Sequence, residues 1–181
     1  MLYISGVQAL NLPCSLNTPG DWHLYGIVWD PLDLRDSEQS IFKEYGIEDQ
    51  QKLPYHTEQY PVANHIRAVL DLLSSGQFGL VQGMRRNFIC TDEYDPEIFD
   101  KVLMLKNGPN WEKISKFMER EYMLKWLNFL EKKNGFEYVD YLVKTQKDSL
   151  INGEKLSNDF LDVYDRLGQD IQENDNSIKI K

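Results

Sequence analysis

Cysteine is scarce in this chain, and its two residues, Cys14 and Cys90, cannot make the disulfide framework of a small secreted domain. The start shows no basic patch followed by an apolar run, so no secretory leader is expected and the sequence reads as cytoplasmic with free thiols. No apolar stretch approaches the roughly 20 residues of a membrane span. Histidine is limited to His23, His56 and His65, and no CxxC, HxxxH or HExxH spacing links them to the cysteines, so neither a metal nor another cofactor is expected. Gly-rich phosphate loops, a Ser-centred elbow and paired-carboxylate motifs are missing as well. Positive charge is thin at the start, where Met1 to Tyr60 sets nine acidic residues against Arg35, Lys43 and Lys52. With a formal net charge of −9, that region would repel nucleic acid, and direct nucleic-acid binding is disfavoured.

The strongest pattern is a helical one. From Asn110 to Lys133 there is no proline or glycine, and Trp111, Ile114, Met118, Tyr122, Trp126, Phe129 and Leu130 recur at spacings of three and four. Asn110 suits the N-cap, lysines gather near the end, and Asn134-Gly135 supplies a stop. Because Met123, Leu124 and Leu127 lie off the stripe, this helix should be covered on more than one side. The expected fold is therefore mainly α (α+β), a single-domain helical bundle around a central helix at about 111–133, with a small N-terminal β or irregular element. Residues 1–168 form the expected domain, and the polar stretch 169–181 is a flexible tail.

Several other elements are expected. Met1 to Leu10 opens as a short strand or extended start, and Asn11 to His23 is turn-rich loop. Leu24 to Trp29 reads as a strand stopped at Asp30-Pro31, Ser37 to Tyr45 as a short helix, and Glu48 to Tyr60 as a connecting loop. Pro61 should open a second helix that buries Val62, Ile66, Val69, Leu70 and Leu73, turns Arg67 and Asp71 outward, and stops at Gly76. Gln77 to Cys90 suits either a helical turn or a loop entering a short strand. Asp95-Pro96-Glu97 starts a further helix, which Asn107-Gly108-Pro109 ends. Beyond Gly135, helical spacing recurs around Phe136 to Val143 and again from Asn158 to Leu167.

Two groups of residues invite a chemical reading. Cys14, Asp21 and His23 place a thiol, a carboxylate and an imidazole in one loop, the side-chain types of cysteine nucleophile catalysis. The commoner reading of such a loop is structural, with Cys14 a small buried hydrophobe and Asp21 a turn cap. Arg85-Arg86 could clamp a phosphate or carboxylate, while the ordinary expectation is a surface pair with acids among Asp92 to Asp95. His65 sits on the flank of an amphipathic helix, where a satisfied structural histidine is usual.

The stretches ALNLPCSLNTPGDWH, HIRAVLDLLSSGQF with GMRRNFIC, YDPEIFDKVLMLKN and NWEKISKFMEREYMLKWLNF together resemble a group of small bacterial proteins encoded beside nucleotidyltransferase-type toxins of the abortive-infection kind, over about Leu2 to Phe129. The resemblance implies an antitoxin or immunity partner that silences such a toxin by direct protein binding, and it brings no catalytic residues with it. Asn17, Asp21 and His23 in the loop, with Arg85 and Arg86, are the contacts expected under that role. The alternatives are a small enzyme using Cys14, Asp21 and His23, and a DNA-binding autorepressor. The autorepressor would need an exposed basic recognition helix.

Overall fold

The computed structural model describes residues 1–134, apart from 22, 24 and 25. It divides into two compact units, Met1–Glu121 and one that begins at Tyr122, each described on its own. The helices expected around Phe136 to Val143 and Asn158 to Leu167, and the tail, lie outside the described residues.

The first unit is mixed α and β. Its sheet has four strands in the order β2-β1-β4-β3, from β1 (Leu2–Ile4), β2 (Leu34–Asp36), β3 (Ile47–Lys52) and β4 (Gln59–Ala63). The two inner strands run parallel, with Ile4 opposite Val62, and each outer strand is antiparallel to its neighbour. The β element is thus larger than expected. Residues 26–29 form turn and irregular backbone instead of the strand expected at Leu24 to Trp29, and the strand falls at Leu34–Asp36. Glu48 to Tyr60, expected as a loop, contributes most of a β-hairpin. Its polarity misleads because β3 is an outer strand whose residues are half-buried or exposed.

Pro61 lies inside β4 instead of opening a helix. The β3–β4 register shifts between Glu48 and Gln51, opposite this position, and such an irregularity accommodates a residue with no N–H to donate. The helix starts four residues later as α2 (His65–Ser74), capped by Asn64, whose side-chain oxygen accepts the Arg67 N–H at 2.9 Å. Asn64→Ala is expected to cost about 1 kcal/mol of stability, measurable by urea unfolding, since this cap is itself buried. Gly76 terminates the helix region in the left-handed conformation, as expected.

Every residue of α2 from His65 to Leu73 is buried, including Arg67 and Asp71, which the sequence pattern turned outward. The reason is internal satisfaction. Arg67 Nε donates to Asp71 at 2.9 Å, its terminal nitrogens donate to the Lys43 and Tyr45 carbonyls at 2.7 and 2.6 Å and to the Tyr3 hydroxyl at 2.6 Å, and the guanidinium lies 4.8 Å from the Tyr3 ring centroid. The other Asp71 oxygen accepts from Tyr3 and Ser5 at 2.8 and 2.6 Å. Burial and the Asp71 charge push the Tyr3 phenol well above its usual range, so it stays a neutral donor. This network ties β1, α2 and the turn at Lys43–Tyr45 together. That turn follows a single 3₁₀ turn at Ser37–Gln39 and replaces the helix expected over Ser37 to Tyr45.

Helix α1 (Gly6–Leu10) packs on α2, and Ala9, Leu10, Ile66, Val69, Leu70 and Leu73 form the middle of the core. After a short π-helical stretch at Met84–Ile89 comes α3 (Asp95–Leu103), begun at Asp95-Pro96 as the sequence indicates. The central helix is not continuous. Helix α4 (Trp111–Tyr122) and α5 (Leu124–Asn134) are separated at Met123, whose φ of 51° is left-handed. Within α4, Ile114, Phe117 and Met118 are buried while Glu112, Lys113, Lys116 and Arg120 are exposed, so it is amphipathic and α2 is the enclosed helix. In α5, Trp126 and Phe129 stack at 5.6 Å. No helix among the described residues is long and apolar enough to cross a membrane.

Candidate functional site

The loop after α1 is held at many points. Asn11 closes its base by donating to the Val7 carbonyl and to Asp21 at 2.9 and 3.0 Å, and its oxygen accepts the His23 N–H. The Asp21 N–H reaches the Leu10 carbonyl at 2.7 Å, and the Gly20 N–H reaches Phe88 at 3.0 Å. Gly20 has a φ of +63°, and a Cβ there would run into the Leu10 carbonyl and come within 2.7 Å of the His65 ring, so only glycine fits. From β3, the Glu48 carboxylate accepts from the Ser15 hydroxyl at 2.6 Å and from its N–H, and Gln51 donates to the Pro13 carbonyl at 3.2 Å. Ahead of α3, the Tyr94 hydroxyl donates to Leu16 at 3.2 Å. Pinned this way, the loop exposes Pro13, Ser15, Asn17, Pro19 and His23.

Beneath it lies a short chain of side chains. The Cys14 sulfur is 3.7 Å from Thr18 Oγ1, which is 2.6 Å from His65 Nδ1, and His65 Nε2 is 2.8 Å from the Leu12 carbonyl. A carbonyl only accepts, so Nε2 carries a proton. In the neutral ring Nδ1 is then an acceptor from Thr18, which leaves Thr18 Oγ1 to accept from the thiol. Burial alone would raise the Cys14 thiol, yet the His65 imidazole outweighs it and the thiol titrates below its ordinary value. Burial in turn opposes a charged His65, but Cys14, the Leu12 carbonyl and Glu48 carry its basicity above the usual imidazole value.

Of the residues singled out from the sequence, Cys14 is half-buried and its imidazole partner is His65, not His23. His23 pairs with Asp21 at 3.0 Å, and that hydrogen bond raises its pKa. His65 is the satisfied histidine that the sequence suggested, with both ring nitrogens hydrogen-bonded, but at 1% exposure it is fully buried beneath the loop and not on the flank of its helix. Nothing in the spacing between Cys14, Thr18 and His65 could have linked them, because β2, β3 and β4 intervene in the sequence. His56 is structural, bonded to the Trp29 carbonyl at 2.9 Å. Among the described residues no group of three or more His, Cys, Asp or Glu is arranged to hold a metal ion.

Arg85 is half-buried and pairs with Asp92 at 3.2 Å, the surface pairing that the sequence suggested, while Arg86 is exposed. Both sit in the π-helical stretch, which is bounded by left-handed Gly83 and Cys90. A cavity of about 500 Å³ has Arg85, Arg86, Cys90, Thr91 and Asp92 in its walls. A second, also about 500 Å³, is walled by the loop from Leu16 to Pro19, by Ile89 to Thr91, and by Glu93 and Tyr94. The two share Cys90 and Thr91 in their walls, Asn17 bordering one and the arginine pair the other, whereas Asp21 and His23 lie at the base of the loop. No protein-family model, curated protein or solved structure matches this chain.

Proposed function

We propose that this protein is an antitoxin- or immunity-type binding protein, which silences a nucleotidyltransferase-type toxin by direct contact through the Pro13 to His23 loop and the neighbouring Arg85-Arg86 surface. The observation that carries this reading is the pre-organisation of the loop. The loop backbone and side chains between Pro13 and Asp21 are held by hydrogen bonds with Asn11, Glu48, Gln51, His65 and Tyr94, which lowers the ordering cost to be met on binding. Asn17 and Arg86 rim adjoining cavities into which a partner's side chains can insert. The acidic first 60 residues suit a toxin whose nucleotide- and RNA-binding cleft is electropositive, and opposite charge speeds encounter. The resemblance to proteins encoded beside such toxins points the same way.

The test is co-expression with the product of the adjacent gene, a nucleotidyltransferase on this reading, followed by association kinetics on the purified pair. A stoichiometric complex and restored growth are expected, with an on-rate at least about tenfold lower at high salt than at low salt. Asn17→Arg, which sets a bulky positive charge against the electropositive cleft, should weaken the complex by about tenfold or more. Toxicity unrelieved by co-expression, with no complex at any salt, would discard the reading.

A further inference from the structure

We propose that Cys14, Thr18 and His65 form a nucleophilic thiol site that accepts small, uncharged or cationic acyl electrophiles. This activity is independent of the antitoxin role. Three side chains from two distant parts of the chain are aligned, 3.7 and 2.6 Å apart, and the Leu12 carbonyl fixes the ring's other nitrogen as a donor. That is the arrangement in which a base, oriented by a third group, activates a nucleophile, here with a hydroxyl between the two. Thr18 is also part of the wall of the cavity bounded by Asn17, Thr91, Glu93 and Tyr94, which offers neutral hydrogen-bonding groups and one carboxylate and so disfavours anions. Cys14 is half-buried and does not itself line that cavity, which restricts the proposed electrophile to a small one. The other titratable groups acting on the pair are Glu48, which adds to the basicity of His65, and Tyr94, whose phenol feels the Cys14 charge.

The chemistry balances without a cofactor. The Cys14 thiol gives its proton to Thr18 Oγ1 as Thr18 passes its own to His65 Nδ1, and the sulfur bonds to the acyl carbon. The bond from that carbon to its leaving group breaks, and the leaving group departs with the proton from His65. Water then attacks the thioester, gives a proton back through the same groups, and releases the acid and the free thiol. Because the folded thiol ionises at lower pH than an unfolded one, the thiolate fraction at neutral pH is greater in the folded chain. Cys14 is therefore expected to be labelled in the folded chain at neutral pH, whereas an inert buried cysteine reacts only on unfolding.

The experiment is iodoacetamide labelling across pH with peptide mapping, followed by 4-nitrophenyl acetate as the acyl probe. The full chain is expected to be labelled at Cys14 with an inflection below the ordinary thiol value of about 8.5, and to take up one acetyl group there. Thr18→Val should move the inflection up towards that ordinary value, and Thr18→Ser should restore it, with circular dichroism showing both folded. Cys14→Ser should abolish acetylation. Labelling of Cys14 only after unfolding, acetylation confined to Cys90, or a profile indifferent to Thr18→Val would each overturn the proposal.

Discussion

Replacing Arg67 by methionine is expected to remove about 3–5 kcal/mol of folding stability, a large share of what a domain of this size possesses. The guanidinium is fully buried and bonds to Asp71, Tyr3 and the carbonyls of Lys43 and Tyr45. Its removal leaves a carboxylate in the core with only the Tyr3 and Ser5 hydroxyls as donors, and leaves the two carbonyls unpartnered. Most of the loss comes from those orphaned groups rather than from the attraction of the pair. The double variant Arg67→Met with Asp71→Leu should therefore be less destabilised than the sum of the two single changes. Guanidinium unfolding of the three variants decides the matter. A loss below about 1 kcal/mol for Arg67→Met, the figure for an exposed pair, would show that the network contributes nothing beyond a surface contact.

The second large effect is expected at Gly20. Alanine there meets the Leu10 carbonyl and the His65 ring in a left-handed backbone, and neither neighbour is the free end of a flexible side chain. About 2–4 kcal/mol of destabilisation is expected, between backbone strain and the cost of overpacking. The damage should also be local, because displacing Gly20 breaks its bond to Phe88 and pushes on the ring that holds Thr18. Hydrogen exchange should show residues 14–21 losing protection to a greater degree than β1 or α2. Wild-type stability with unchanged loop protection would mean that the loop tolerates a wider path than its contacts indicate.

What could be read from the sequence was what local chemistry dictates. The Asn11 to His23 loop, the start at Asp95-Pro96, the stop at Gly76 and the break at Asn107-Gly108-Pro109 all follow from residues with fixed backbone preferences. The strands were harder. Ile47–Lys52 shows no alternation because it is an outer strand with little to bury, and β4 contains a proline that local rules assign to a helix start. An Arg and an Asp four residues apart look the same on an exposed helix face as in a core, so only the tertiary partners Tyr3, Ser5, Lys43 and Tyr45 distinguish the cases. Met123 breaks the long helix without the usual glycine or proline signal. The Cys14, Thr18 and His65 cluster was invisible for a related reason: it joins the loop after α1 to the first residue of α2, with three strands between them in the sequence, and the nearer histidine, His23, was the natural candidate.

The outer strands of the sheet bear on how any partner can attach. One, β2, is only three residues long and carries Arg35 and Asp36, and the other, β3, is a run of acids, glutamines and a lysine. Short length and charge are the features that discourage a neighbouring chain from extending a sheet by backbone pairing. Growth of the sheet into another molecule is thus disfavoured at both margins, for a second copy as much as for a foreign protein. Recognition is left to side chains on irregular backbone, where a few substitutions can exchange one partner for another without disturbing the scaffold underneath.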